Sequence, residues 1–123
     1  MRRDTLLPNP RIIDAVARRF RVLGEPQRLR ILQSLEAGPR TVSQLVEALQ
    51  GNQPNVSRHL QALFEAGLIA RRRSGNSIVY SVSDPVVFKL CGLVCNNVME
   101  RARADMAEME LSGAAPAQRG KRQ

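Results

Sequence analysis

The fold is decided by one stretch, residues 41–82, which reads TVSQLVEALQGNQPNVSRHLQALFEAGLIARRRSGNSIVYSV. The stretch opens with a capping box, in which Thr41 is followed three residues later by Gln44. A capping box marks the first turn of a helix, and the glycine at position 51 marks its end. We therefore predict a short helix from Thr41 to the break at Gly51.

A second helix and a hairpin follow that break. Asn52 is a good N-cap, Pro54 fits a first helical turn, and Gly67 ends the helix after Ala66. The hydrophobic period then changes to that of strands, and residues 68–82 predict a β-hairpin with a Gly-Asn turn. A short helix, a tight break, a second helix and a basic hairpin indicate a helix-turn-helix with a wing.

Further helices are expected on both sides of this stretch. Apolar residues at helical spacing predict helices over residues 11–23 and 26–35 before it. After it, a long last helix begins near Asp84 and runs to about Leu111. The predicted fold class is α+β, mostly α, a winged helix-turn-helix with a β-hairpin wing and long N- and C-terminal helices.

The length of the chain suits a single domain. Of its 123 residues 43% are hydrophobic, which allows a packed core and excludes wholesale disorder. We expect three segments: a flexible N-terminus 1–10, a winged-helix domain 11–111 and a disordered basic tail 112–123. The longest apolar runs are far shorter than the ~20 residues of a spanning helix, and the N-terminus lacks the apolar core of a signal peptide. We expect a soluble, cytoplasmic protein with no membrane partner.

The balance of charge favours a polyanionic partner. Nineteen basic residues against eleven acidic ones give a net charge of +8. Such a surface suits nucleic acid or an anionic membrane face. An enzyme is excluded by the absence of a nucleophile-base constellation, a P-loop or a Gly-rich dinucleotide turn, and the one histidine, His59, lies on the second helix of the pair.

That second helix carries a polar face suited to the major groove of DNA. At about 100° per residue, Val56 and Leu60 point inward while Arg58 points outward. Arginine can fork onto guanine, amide side chains can pair with adenine, and a hydroxyl suits a phosphate. The candidate DNA contacts on this helix are Gln53, Pro54, Asn55, Ser57, Arg58 and Gln61. The alternative is an ordinary solvated helix face.

The hairpin adds a second candidate DNA contact. Arg71, Arg72 and Arg73 are consecutive, so on a strand they splay to both faces and cannot all be buried. We expect these arginines to contact the sugar-phosphate backbone of DNA. Gly75, at the tip of the hairpin, would let the protein backbone approach the DNA closely. A solvated charge run is the alternative. His59 is expected to pack or to contact phosphate rather than to bind metal, because one imidazole makes no metal site.

These motifs, in this order, resemble the ArsR/SmtB family of bacterial metal- and stress-sensing winged-helix repressors. The matching pieces are LGEP at 23–26, RLRIL at 28–32, VSRHL at 56–60, AGLI at 66–69 and the wing from Arg72 to Tyr80. The resemblance implies a homodimer that blocks a promoter, at an inverted-repeat operator in double-stranded DNA, until an inducer binds. By position, Gln53, Pro54, Ser57 and Arg58 match the major-groove contacts of that family.

The resemblance also implies that the first and last helices form the dimer interface. The last helix carries two apolar stripes about 120° apart, so one can pack on its own subunit and the other on the partner. The interface residues that we expect are Val16, Phe20, Val87, Val94, Val98 and Ala102.

Two inducer sites known in the family are missing here. Residues 42–46 contain no thiol where arsenic sensors carry Cys-x-Cys, and the last helix lacks the histidine of zinc sensors. Cys91 and Cys95 remain, and their i, i+4 spacing lets both sulfurs reach one soft ion. They predict release by a thiophilic metal(loid), such as As(III), or by thiol oxidation. Two alternatives stay open: a constitutive regulator whose cysteines only pack, and a winged-helix module that binds protein or RNA.

Overall fold

The computed structural model describes residues 9–113. The helices are α1 (Pro10–Leu23), α2 (Pro26–Glu36), α3 (Val42–Leu49), α4 (Gln53–Glu65) and α5 (Val86–Ser112), and the strands are β1 (Arg40–Thr41), β2 (Ile69–Ser74) and β3 (Ser77–Val82). The chain is thus mostly helical with one small antiparallel sheet, as predicted. It divides between Pro85 and Val86 into two compact units. The single domain of residues 11–111 stays a prediction.

Helices α1 and α5 each include a residue, Pro10 and Ser112, that the sequence analysis assigned to the flexible ends. Asn9 caps α1 through its side-chain oxygen, which accepts a hydrogen bond from Ile12 N at 3.1 Å, and Pro10 begins the helix. At the other end Ser112 still belongs to α5. Proline suits a first helical turn, which explains why the helix starts one residue early. Residues 1–8 and 114–123 of the two predicted segments lie outside the described residues.

The turn between α3 and α4 follows from local side-chain chemistry. The Thr41 hydroxyl accepts from Gln44 N at 3.2 Å, and the Gln44 side chain accepts from Thr41 N at 2.9 Å, which confirms the capping box. Gln50 adopts the left-handed conformation with φ 52° and ends α3. The Asn52 side chain then accepts from Asn55 N at 2.9 Å and starts α4. These contacts fix the direction in which α4 leaves the turn.

The core of the first unit is aliphatic and holds α4 in place. Its largest fully buried side chains come from α2, α3, α4 and β2: Ile31, Leu45, Leu60, Leu63 and Ile69. Two of the five lie on α4, so that helix is anchored by one face while the other stays exposed.

The sheet contains one strand that the sequence analysis does not predict. The strand order is β1-β3-β2, and the extra strand β1 pairs with β3 through Arg40↔Tyr80 and Thr41↔Val79. Two residues are too few to show a strand period, which is why the pattern predicts only a hairpin. The added strand ties the base of the hairpin to the start of α3.

The hairpin ends in a two-residue turn at Gly75 and Asn76, as predicted. Ser74 pairs with Ser77, and Gly75 has a φ of +63° whereas Asn76 is not among the residues with positive φ. A positive φ at the first central residue alone is typical of a type II′ turn, whose twist matches that of the strands.

The second unit is the 27-residue helix α5. Val87 is its one buried residue, whereas Leu93 and Val98 are 70% and 60% exposed. Within residues 9–113, no helix combines the length and the apolar character that crossing a membrane requires.

Candidate nucleic-acid interface

The predicted DNA-contacting residues of α4 lie on its exposed face. Gln53, Pro54, Asn55, Arg58 and Gln61 are exposed, and Ser57 is half-buried. The opposite face is formed by the buried residues Val56, His59, Leu60 and Leu63. The helix therefore presents polar groups outward over its first two turns and is held from behind by the core.

Asn55 and Arg58 form a pre-arranged pair on this face. Arg58 Nη2 donates a hydrogen bond to Asn55 Oδ1 at 2.9 Å, while Asn55 N is held by the Asn52 cap. Because the amide oxygen of Asn55 is occupied, the pair offers hydrogen-bond donors to a ligand. The N7 and O6 atoms of guanine are two acceptors in the major groove, and they suit such a donor pair.

Gln61 makes two hydrogen bonds within the chain, while its predicted contact with DNA stays a prediction. Its oxygen accepts from Arg71 Nη1 at 3.4 Å, and its nitrogen donates to Glu65 Oε2 at 2.9 Å. The Arg71 guanidinium also stacks on the Phe64 ring, 3.9 Å from the ring centroid. Gln61 and Arg71 thus connect the wing to α4, an arrangement that the sequence analysis missed because the two residues belong to different elements.

The remaining wing residues are placed to meet a polyanion. All of β2 after Ile69 is exposed, which includes Arg72 and Arg73. In register, Arg72 faces Val79 and Arg73 faces Ile78, next to the turn. No hydrogen bond within residues 9–113 engages either guanidinium, and Gly75 leaves open space at the tip. The wing therefore presents two arginines beside a tip that is free of side-chain bulk.

His59 is a packing residue with a defined hydrogen bond. It is 8% exposed, and its Nδ1 accepts from Arg28 Nε at 3.1 Å. Since Nδ1 is an acceptor, the imidazole is neutral and carries its proton on Nε2. Burial lowers the pKa of His59, with smaller effects from Glu25, which raises it, and from Arg28 and Arg58, which lower it. Of the two roles considered, the structure supports packing.

The two thiols lie on α5. Cys91 is half-buried and Cys95 is exposed, both are free, and burial raises the pKa of the Cys91 thiol. The Cys95 thiol contacts the Met99 thioether, with Sγ and Sδ 3.7 Å apart. Among residues 9–113, three or more His, Cys, Asp or Glu side chains are nowhere grouped so that they could hold a metal ion.

Most of the residues predicted for a dimer interface are exposed in the single chain. Phe20, Val94 and Val98 are 54%, 54% and 60% exposed, Ala102 is exposed and Val16 is half-buried. Val87 differs from these residues, because it is only 4% exposed in the single chain, and its place in a dimer interface stays a prediction.

Ile13 belongs to the apolar positions that predict α1, but it is not among the residues predicted for the dimer interface. Ile13, 41% exposed, lies three residues before Val16 and seven before Phe20, so the three side chains share one face of the helix. That spacing is visible in the sequence, but it does not tell whether such a face packs within the chain.

Comparison with known proteins identifies bacterial transcriptional regulators as the relatives of this chain. Residues 25–71 match the family model described as bacterial regulatory protein, arsR family. A Streptomyces lividans protein named as a probable mercury resistance operon repressor is 44% identical over 77 residues, 63% of this chain and 62% of that protein. This chain therefore spans less than two thirds of the length of that relative.

Two further proteins are similar over more of their length. A Mycobacterium tuberculosis protein, an uncharacterized HTH-type transcriptional regulator, is 36% identical over 87 residues, 70% of this chain and 75% of that protein. The solution structure of a homodimeric winged helix-turn-helix DNA-binding domain from Mycobacterium bovis has a TM-score of 0.66 and 28% identity. That match covers 93% of this chain and 100% of the other.

Proposed function

The chain belongs to the ArsR family of bacterial regulatory proteins, and on this premise we propose that it is a dimeric repressor that binds an inverted repeat in double-stranded DNA. One observation carries the proposal. The exposed face of α4 presents the Asn55–Arg58 donor pair, and the exposed arginines of the wing follow in the same unit. In a winged helix-turn-helix, the recognition helix contacts base edges in the major groove and the wing contacts the sugar-phosphate backbone. The polar face of α4 and the arginines of the wing suit these two kinds of contact.

The two kinds of contact have separate roles in the proposal. Arg58 and Asn55 contact base edges and set the sequence preference, with Gln53, Pro54 and Ser57 beside them. Arg72 and Arg73 contact phosphates, which adds affinity for any sequence. Gln61 and Arg71 hold the wing against α4 and so orient both sets of contacts. As a regulator of bacterial genes, the protein would act in the cytoplasm.

A second copy of the chain completes the DNA-binding surface. The apolar faces of α1 and α5 are exposed in the single chain, and an exposed apolar surface of this kind marks an interaction site. The M. bovis domain of similar fold is a homodimer. A two-fold dimer would place two copies of α4 about 34 Å apart, one helical turn of DNA, on the two halves of an inverted repeat.

Cys91 and Cys95 are the proposed sensing site. Their spacing puts both sulfurs on one face of α5, where a thiophilic ion such as arsenite, or an oxidant, could join them. The name of the S. lividans relative also refers to a thiophilic metal, mercury. The alternative, cysteines that only pack, suits the half-buried Cys91 better than the exposed Cys95.

The experiment that tests the DNA-binding proposal is footprinting on the upstream region of the chain's own gene, repeated over a range of salt concentrations. Protection of an inverted repeat, with affinity that falls steeply as salt rises, is expected. Equal affinity for random DNA, or preference for RNA or a protein partner, would contradict it.

The sensing proposal is tested on the same complex. Arsenite, Hg²⁺ or an oxidant should release the reduced protein from DNA. Cys91→Ser and Cys95→Ser should keep DNA binding and lose this release, with unchanged thermal stability as the control. Release of a double Ser variant at the same dose as the parent would show that the cysteines only pack.

A further inference from the structure

Arg58 is held by a neutral side chain of its own helix. Its Nη2 atom donates to the Oδ1 atom of Asn55 over 2.9 Å, and both residues are exposed. Asn55 is fixed in turn, because its backbone N–H donates to the Asn52 side chain over 2.9 Å at the start of α4. By position, Arg58 matches a major-groove contact of the family and Asn55 does not. The contact between the two side chains therefore needs an explanation of its own.

The helical spacing of the pair directs Arg58 toward the N-terminal end of α4. Residues three positions apart lie on one face with Cβ atoms about 5–6 Å apart, and long side chains lean back toward the N-terminus. The Arg58 guanidinium accordingly reaches back to Asn55, in the first turn of the helix. In a helix-turn-helix, the N-terminal residues of the recognition helix contact the base edges. The hydrogen bond thus keeps the guanidinium at the end of α4 that would enter the groove.

This hydrogen bond leaves a complete base-reading edge on Arg58. A guanidinium presents two edges with paired N–H donors, Nη1 with Nη2 and Nε with Nη2, and Nη2 has one hydrogen on each edge. Asn55 accepts from Nη2 alone, so the other edge keeps both of its donors. Two parallel donors match the O6 and N7 atoms of guanine. The contact is therefore compatible with bidentate readout, and it does not use the Nδ2 donors of Asn55.

Asn55 holds the guanidinium without adding a negative charge. Residues 53–64 of α4 contain no Asp or Glu, so the acceptor on this part of the helix is an uncharged amide. A carboxylate in its place would accept the hydrogen bond more strongly, but it would also repel the phosphates of DNA. A neutral acceptor orders Arg58 and leaves its positive charge available to DNA.

We propose that Asn55 is a positioning residue, which holds the Arg58 guanidinium in the orientation that reads guanine and so acts on sequence preference through Arg58. A free arginine side chain has many rotamers and can also turn to a phosphate, a contact that carries no sequence information. Restriction of the side chain before binding reduces the entropy that is lost on binding. The inference rests on the proposed DNA-binding function, whereas the ordering of Arg58 in the free chain does not.

The test compares Asn55→Ala and Asn55→Asp in the full chain, on operator variants changed at single base pairs. Asn55→Ala removes the acceptor. At the base pair where Arg58→Ala relaxes the preference, it should reduce the preference for guanine about two- to tenfold, the scale of the cost of immobilising one long side chain. Asn55→Asp keeps an acceptor, so it should keep this preference while it binds all DNA more weakly. Alanine and acidic residues both suit the first turn of a helix, and thermal unfolding checks that each variant is folded.

Gln53→Ala is the matched control, because Gln53 is an exposed amide side chain of the same helix about 140° around from Arg58. Its effect should add to that of Arg58→Ala, whereas Asn55→Ala should have no further effect at the Arg58 base pair once Arg58→Ala is present. Additive effects of Asn55→Ala and Arg58→Ala at that base pair would overturn the positioning role. Equal losses of preference in Asn55→Ala and Asn55→Asp would overturn it as well.

A measurement on the free protein separates this inference from the DNA-binding proposal. Nitrogen relaxation of the arginine Nε–H groups should show Arg58 more ordered than Arg72, whose guanidinium no hydrogen bond within residues 9–113 engages. Asn55→Ala should lower the order of Arg58 to that of Arg72, and Asn55→Asp should not. Equal order of Arg58 in the parent and in Asn55→Ala would overturn the positioning role whether or not the chain binds DNA. An ordered Arg58 in a protein without sequence preference would contradict the proposed function and a role of Asn55 in readout, but not the ordering contact.

Discussion

Arg28 donates from Nε to the His59 Nδ1 atom over 3.1 Å, and from Nη1 to the backbone oxygen of Val22 over 3.3 Å. One guanidinium thus joins the last turn of α1, the first turns of α2 and the middle of α4. His59 lies next to Arg58 in the sequence, so this contact helps to fix the helix that carries the candidate base contacts. It requires a neutral imidazole, because a protonated ring has no acceptor at Nδ1.

This relationship predicts that the folded chain loses stability in mild acid. The pKa of His59 is lowered from its ordinary value of 6.5, chiefly by burial, so the unfolded chain takes up a proton first as the pH falls. The free energy of unfolding should therefore decrease as the pH falls below about 6.5, the ordinary pKa of histidine. Above pH 6.5 the contribution of His59 to the free energy of unfolding should not change with pH, because the imidazole is then neutral in both the folded and the unfolded chain. Urea unfolding between pH 5 and 8, at fixed protein concentration, measures the effect.

His59→Gln is the control for this prediction. Its amide oxygen can accept from Arg28 but does not titrate. Below pH 6.5, the ordinary pKa of His59, the free energy of unfolding of the variant should fall less steeply with pH than that of the parent. This difference in slope is expected whatever the stability of the variant at pH 8. Parallel curves for the two proteins would show that other groups cause the acid sensitivity.

Arg58 is expected to determine sequence preference. Arg58→Ala should weaken binding to the operator by about 1–3 kcal/mol and relax the preference at one base pair in each half-site, because it removes a bidentate base contact. Arg30→Ala removes the same charge from an exposed residue of α2 and serves as the control. Competition binding with single-base operator variants measures both. Equal losses on operator and random DNA would assign Arg58 to phosphate instead.

The wing arginines should behave in the opposite way. The double substitution Arg72→Ala and Arg73→Ala should weaken binding to operator and random DNA alike. Each lost phosphate contact should also lower the slope of log affinity against log salt by about 0.9. Titrations at several salt concentrations determine that slope. An unchanged slope would mean that the wing does not meet the backbone.

The contact between Arg71 and Phe64 should couple the wing to α4. A double-mutant cycle with Arg71→Ala and Phe64→Leu isolates the cation–π contact from each residue's other interactions. We expect a coupling free energy of about 0.5–1 kcal/mol in thermal or urea unfolding, the range for an exposed pair. Additive effects would show that the stacking at 3.9 Å does not stabilise the wing.

The features of this structure that can be predicted from sequence are those that depend on residues close together in the chain. The Thr41 capping box, the Asn52 cap and the Gly75 turn are local, and the sequence predicts all three. The contact between Arg28 and His59 joins residues 31 positions apart, and nothing in either neighbourhood indicates it.

The candidate site shows the same limit. An outward-facing position on α4 could be predicted for Gln61 from helical period, but its engagement by Arg71 depends on how the hairpin packs against that helix. Val87 belongs to an apolar stripe in the sequence, and only the folded chain shows that it is buried already. Periodicity identifies apolar faces, whereas their partners follow from the tertiary arrangement.

The last prediction concerns the assembly of the chain through α5. Val98 is 60% exposed, and burial of a few hundred Å² of such surface stabilises a complex by several kcal/mol at about 25 cal/mol per Å². Val98→Glu would place a charge in that contact, so the dimer expected for the parent at micromolar concentration should dissociate. Asn97→Glu adds the same charge one residue away, about 100° around the helix, and should leave the dimer intact. Sedimentation velocity compares the three proteins, and circular dichroism checks that each is folded. A parent that sediments as a monomer and still binds its operator with full affinity would contradict the proposed dimer.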